Sequence, residues 1–176
     1  DSSWIVGSPN GISTSFSKLT TFTGSYASSA ATDNVNLTAS GTFTNSAVNS
    51  LRFGPGAATA ITTTLGGAFS ITSGGILVSP IVGANLTTIT GGTSLTSGNG
   101  LDLIVNQYNS SGALQIGTKI TGSIGLTKSG PGTLNLTNSS NDFTGKAYLN
   151  QGITNIVADG SLGTAPGSVV ADQLTM

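Results

Sequence analysis

From Val35 onward, aliphatic residues fall at alternate positions in short runs, and each run stops at a cluster of Gly, Asn, Ser or Pro. Val35-Asn-Leu37, Val48 to Phe53, Ala60 to Leu65, Ala68 to Ile71 and Leu86 to Ile89 are such runs. Leu101 to Val105, Ala113 to Ile116, Ile124 to Leu126, Leu134-Asn-Leu136 and Ile153 to Val157 continue the series. A period of two puts alternate side chains on one face of a pleated strand, so each run predicts a short strand with one apolar face. Gly54-Pro-Gly56, Gly66-Gly67, Gly74-Gly75, Gly91-Gly92, Gly98-Asn-Gly100, Ser110-Ser-Gly112, Gly130-Pro-Gly132 and Asn150-Gln-Gly152 mark the corners between them. Gly, Pro and Asn suit tight reversals of the backbone.

Corners recur at about 8 to 20 residues, a spacing that admits a sandwich, a barrel or a β-solenoid. Three features favour the solenoid. The strands are short for a sandwich, and Asn-Gly or Asp-Gly hairpin turns between matched strands are few. The outward positions carry Thr, Asn and Ser, which pair with their counterparts above and below in a stack of coils. The predicted fold is therefore all-β, a right-handed parallel β-helix of short strands with Gly, Asn and Pro corners. At roughly 20 residues and about 4.8 Å per coil, the chain predicts about eight coils and a rod near 40 Å long.

Composition agrees. Only 6% of the 176 residues are charged, against roughly 25% in ordinary soluble domains. All six acids are Asp, no Glu occurs, and Thr and Ser are each about as abundant as the 26 Gly. Strong helix formers are thus scarce while strand and corner residues abound. Hydrophobic residues make up 36%, and their periodic placement argues against disorder despite the Gly/Ser/Thr content. No apolar run approaches the roughly 18 residues of a membrane helix, and scattered aromatics at 6% do not form the girdles of a membrane barrel.

The first forty residues differ. Trp4, Phe16, Phe22 and Tyr26 gather the aromatics there, and Trp4 is expected to cover the end of the core. Residues 1–40 therefore predict an irregular N-terminal cap or arm, and 41–176 the solenoid. The chain opens at Asp1 rather than Met, as expected of a processed form or a segment of something longer.

The run from Gly125 to Leu136, Gly-Leu-Thr-Lys-Ser-Gly-Pro-Gly-Thr-Leu-Asn-Leu, leads to Asn141-Asp-Phe-Thr-Gly145, then Asn150-Gln-Gly152, then Leu162-Gly163. Several Gly positions and the Leu-x-Leu pair in this order resemble the autotransporter-associated β-strand repeat, over residues 125–163. The stretch from about Val48 to Ile124 is also similar to extracellular proteins that carry this repeat. The sequence departs from the repeat's usual small, Thr-rich strand at Lys146-Ala-Tyr-Leu149. The resemblance implies a secreted or cell-surface, bacterial β-helix in adhesin-like or structural proteins, and it brings no catalytic residues.

Chemistry is thinly represented. His and Cys are both absent, which removes the commonest general base, the thiol nucleophile and the usual transition-metal ligands. Of the six carboxylates, Asp102 is expected to point outward between Leu101 and Leu103, and stacking of Asp33, Asp102 and Asp142 on one face would suit Ca²⁺. Ser15-x-x-Lys18 matches the spacing of a Ser–Lys pair, a match expected by chance in so Ser-rich a chain. Asn36, Asn85, Asn109, Asn135 and Asn138 head glycosylation sequons. A net charge of −1 with five dispersed basic residues excludes a nucleic-acid-binding face. The sequence thus predicts a non-enzymatic extracellular structural module with no catalytic residues, cofactor or metal. It is expected to self-associate into a filament or layer by stacking and strand-edge pairing, the alternative being an adhesin segment that binds glycans or surfaces.

Overall fold

The computed structural model describes residues 25–98 and 100–176, Phe22, and the backbone of two short strands nearer the N-terminus. In chain order the strands begin with β1 (Ile5–Val6), β2 (Ser17–Lys18), β3 (Asn34–Leu37), β4 (Gly41–Phe43), β5 (Ala47–Phe53) and β6 (Ile61–Leu65). Next come β7 (Ala68–Val78), β8 (Thr87–Gly91), β9 (Ser94–Ser97), β10 (Leu103–Gln107) and β11 (Leu114–Ile116). The series ends with β12 (Leu126–Ser129), β13 (Thr133–Leu136), β14 (Ala147–Leu149), β15 (Ile153–Ile156) and β16 (Leu174–Thr175). Two 3-10 turns, Pro80–Val82 and Asp159–Leu162, are the only helical elements among the described residues. No helix among them is long and apolar enough to cross a membrane.

Among the described residues every strand pair is parallel except β1 with β2. One sheet runs β3-β5-β7-β10-β12-β14-β16, and a second runs β4-β6-β8-β11-β13-β15. Alternate strands of the chain thus lie in alternate sheets, and each strand rests on the one a full coil earlier: a β-solenoid. A third flank forms where the first part of β7 pairs with β9 and Leu95 bridges to Ile120.

The coils number about six, not eight. A coil takes between 16 residues, from Asn34 to Ser50, and 29, from Gly75 to Ile104. Corners at 54–60, 79–86 and 108–113 lie between strands and consume chain without adding height. At about 4.8 Å per coil the stack is about 30 Å tall. Parallel stacking begins at Asn34, inside the segment that reads as a cap or arm.

Burial alternates along the strands as the pattern requires: β13 reads half-buried Thr133, buried Leu134, half-buried Asn135, buried Leu136. Side chains that share a column face inward together. Val35, Leu51, Ile76, Val105, Lys128 and Leu149 form one such column through six strands, with a lysine where aliphatics are expected. Tyr26 packs on the first coil with its ring 4.8 Å from Phe43, which in turn lies 4.8 Å from Phe69. Its hydroxyl donates to Ala39 O at 3.0 Å and shares a hydrogen with Thr63 Oγ1 at 2.9 Å. Trp4 and Phe16 lie outside the described residues, so the cover observed on this end is Tyr26.

Candidate functional site

The repeat-like segment is where the sequence concentrates its signal, and its small and polar residues close one coil onto the next. A Cβ at Gly132 would lie 2.2 Å from Asn109 O, and one at Gly145 would lie 2.5 Å from Ile124 O, so both positions admit only glycine at this coil spacing. Gly130 adopts φ +84°, the left-handed region that other residues avoid. Asn141 replaces a backbone group: its Oδ1 accepts from Ile120 N at 2.8 Å and its Nδ2 donates to Ser161 O at 2.7 Å, tying three levels of the stack together. Phe143 fills the core beside it with no exposed surface.

One corner carries an unusual buried polar cluster. Gln107 is fully buried; its Nε2 donates to Gly112 O at 3.2 Å and Thr133 O at 3.3 Å, while its Oε1 accepts from Asn109 N at 3.1 Å. Asn109 Nδ2 donates to Gly83 O at 2.8 Å. Lys128, also fully buried, donates from Nζ to Gly130 O and Gln151 O, each at 2.6 Å. Burial lowers its pKa from 10.5 to about 8. Sequence reasoning singled out Asn109 only as a sequon and did not place Gln107 or Lys128 inside. The signal was present: Lys128 shares the inward parity of Leu126.

The structure does not gather Asp33, Asp102 and Asp142 into a cation site, and no group of three potential metal ligands occurs among the described residues. Asp33 Oδ2 accepts from Ala30 N at 2.8 Å and Asp102 Oδ2 accepts from Thr127 Oγ1 at 2.9 Å. Asp142 pairs with Lys119 at 2.5 Å, which holds its carboxyl below the usual range. Asp102 precedes β10 rather than alternating within it, and Leu101 beside it is 51% exposed. Ser15, the nucleophile position of the Ser–Lys spacing, lies outside the described residues, as does Asp1.

The sequon asparagines are engaged. Asn36, Asn85, Asn109 and Asn138 donate their side-chain amides to Gly54 O, Val82 O, Gly83 O and Gly117 O, and Asn135 accepts from Asn155 Nδ2 at 2.9 Å. The Asn135–Asn155 bond belongs to an outward column of Thr62, Thr88, Gln115, Asn135 and Asn155 on the second sheet. Thr42, Thr64 and Thr90 stack in a parallel column. Together they make a hydroxyl- and amide-bearing face with no charged side chain in either column.

The two ends of the stack differ. At the first coil, Val35, Leu37 and Phe43 are at most 2% exposed. At the last, β16 covers β14, while β15 has no strand beyond it among the described residues, leaving a step one strand high. Ile153, Ile156, Val157 and Leu174 are each more than 40% exposed there. A shallow groove beside them is lined by Ala147, Leu162, Gly163, Ala165, Pro166 and Leu174. An open strand edge flanked by apolar side chains can pair with another strand. No family model, curated protein or solved structure matches the chain.

Proposed function

We propose that this chain is a non-catalytic structural module of an extracellular, bacterial surface assembly, built by end-to-end stacking of β-solenoid units. The observation that carries the reading is the open stack: β15 has no strand beyond it among the described residues, and Ile153, Ile156 and Val157 are exposed beside it, so further coils can be added there. Burying exposed apolar surface is favourable by about 25 cal/mol per Å², and a free edge offers backbone donors and acceptors in addition. β3 and β4 likewise have no strand before them among the described residues, so the last coil of one unit can seat on the first coil of the next, and such a head-to-tail contact, where it does not close, generates a filament. The extracellular assignment rests on the resemblance of residues 125–163 to a repeat of surface proteins and on the low charge. Sedimentation velocity from micromolar to millimolar concentration, with electron microscopy of the heaviest species, tests it. Growth along one axis is expected, and a strictly monomeric chain throughout would refute stacking.

A second reading has its own observation. The uncharged columns of Thr, Gln and Asn on the second sheet suit adhesion to neutral glycans through hydroxyl and amide hydrogen bonds. A glycan array with no ligand retained would remove it.

A further inference from the structure

The fully buried Lys128 has two acceptors, Gly130 O in its own corner and Gln151 O in the corner of the next coil. An ammonium carries three hydrogens and a neutral amine two. Two carbonyls therefore take both hydrogens of the neutral amine, whereas the ammonium is left with a surplus hydrogen and a charge inside an otherwise apolar column. Above and below it in register stand Val105 and Leu149. Gly152 leaves room for the amine, since a Cβ there would lie 2.8 Å from Nζ.

We propose that Lys128 is a proton-operated clamp on the C-terminal coils: losing its proton tightens the coil of β14 and β15 onto that of β12 and β13, and gaining one loosens it. Among the described residues no counter-charge complicates the site. Its neighbours in register on β10 and β14 are aliphatic, and the corners at 130–132 and 150–152 contain no titratable side chain. β13 contributes only Thr133, Leu134, Asn135 and Leu136. On β14 the one titratable group, Tyr148, stands in register with Thr127 and so faces outward, away from Lys128. On β10 there is none.

The sign follows from proton counting. Between about 8, the folded value, and the ordinary 10.5, the unfolded chain keeps a proton that the folded chain has released. Stability therefore rises with pH across that window. Tyr26, raised above its ordinary 10.0 by burial, acts with the opposite sign from about pH 10 upward, and does so equally in wild type and Lys128→Met. The device lies next to the exposed end of the stack, but it does not depend on stacking.

The test is denaturant unfolding of wild type and Lys128→Met at pH 8 and pH 10 at fixed ionic strength. The wild-type unfolding constant is expected to fall about thirtyfold over these two pH units, and that of Lys128→Met by less than threefold. An equal change in both proteins, or wild-type stability that falls, overturns the proposal. Should Lys128→Met fail to fold, the Lys128 ε-methylene carbon shift, followed by NMR in the wild type, decides: a midpoint near 8 supports the clamp, and one near about 10.4, the model-peptide value, overturns it.

Discussion

Replacing Asn141 with alanine probes how coils are held together where the backbone ladder is interrupted. In a regular parallel pair, Ile120 N–H would donate to a backbone carbonyl of the next coil; here it donates to Asn141 Oδ1 at 2.8 Å. The other half of the same amide donates to Ser161 O at 2.7 Å, one coil further on. Asn141 is 5% exposed, and Ile120 and Ser161 are not exposed at all, so water cannot replace the lost partner without opening the stack. Each buried group left unpaired costs about 1–3 kcal/mol. Two such groups bring the expected destabilisation of Asn141→Ala to about 2–6 kcal/mol. For a chain of this size that lowers Tm by roughly 5–20 °C. Equilibrium denaturation measures the total, and amide exchange at Ile120 locates it. Asn138→Ala is the control: Asn138 also donates across coils, to Gly117 O, but it is only half-buried and water can take its place. It is expected to cost about 1 kcal/mol or less. If Asn141→Ala stays within about 0.5 kcal/mol of wild type, with exchange at Ile120 unchanged, the reasoning fails.

Three further outcomes follow from the same geometry. Gly132→Ala places a Cβ 2.2 Å from Asn109 O and is expected to cost about 1–3 kcal/mol in denaturant unfolding, because the neighbour that must give way is backbone. Tyr26→Phe removes the donor to Ala39 O and strands Thr63 Oγ1, which has no solvent exposure; a loss of about 1–3 kcal/mol is expected, again by denaturation. Val157→Lys, at a residue 60% exposed, is expected to leave Tm within about 2 °C while suppressing concentration-dependent association in the ultracentrifuge.

The fold was legible because strand alternation and corner chemistry are local. Leu134-x-Leu136 faces the core as its period demands, and Gly130-Pro-Gly132 turns where glycine and proline mark a corner. Coil length was not legible, because a signal such as Gly54-Pro-Gly56 marks where a strand stops but not how much chain the corner takes, here 54–60 and 79–86. Leu101-Asp-Leu103 shows the ambiguity in small: alternation placed Asp102 inside a strand, yet the strand begins at Leu103 and Leu101 lies half-exposed in the corner. Buried Gln107 and Lys128 escaped notice, and Asn109 was read only as a sequon, because a polar residue is assigned outward by default, and only their carbonyl partners on neighbouring coils make an inward position affordable. The exposed end depends on which strand stops first, a property of the assembled stack rather than of any local run.

The parallel stacking of coils can be tested directly because the chain has no cysteine of its own. Asn135 and Asn155 are register partners on adjacent coils with their amides 2.9 Å apart, whereas Thr154 faces inward beside Leu134. Oxidation of a chain carrying Asn135→Cys and Asn155→Cys is expected to give an intramolecular disulfide in high yield, and the pair Asn135→Cys with Thr154→Cys is expected to stay reduced. Equal yields from the two pairs, or closure only in the second, would contradict the stacked-coil architecture.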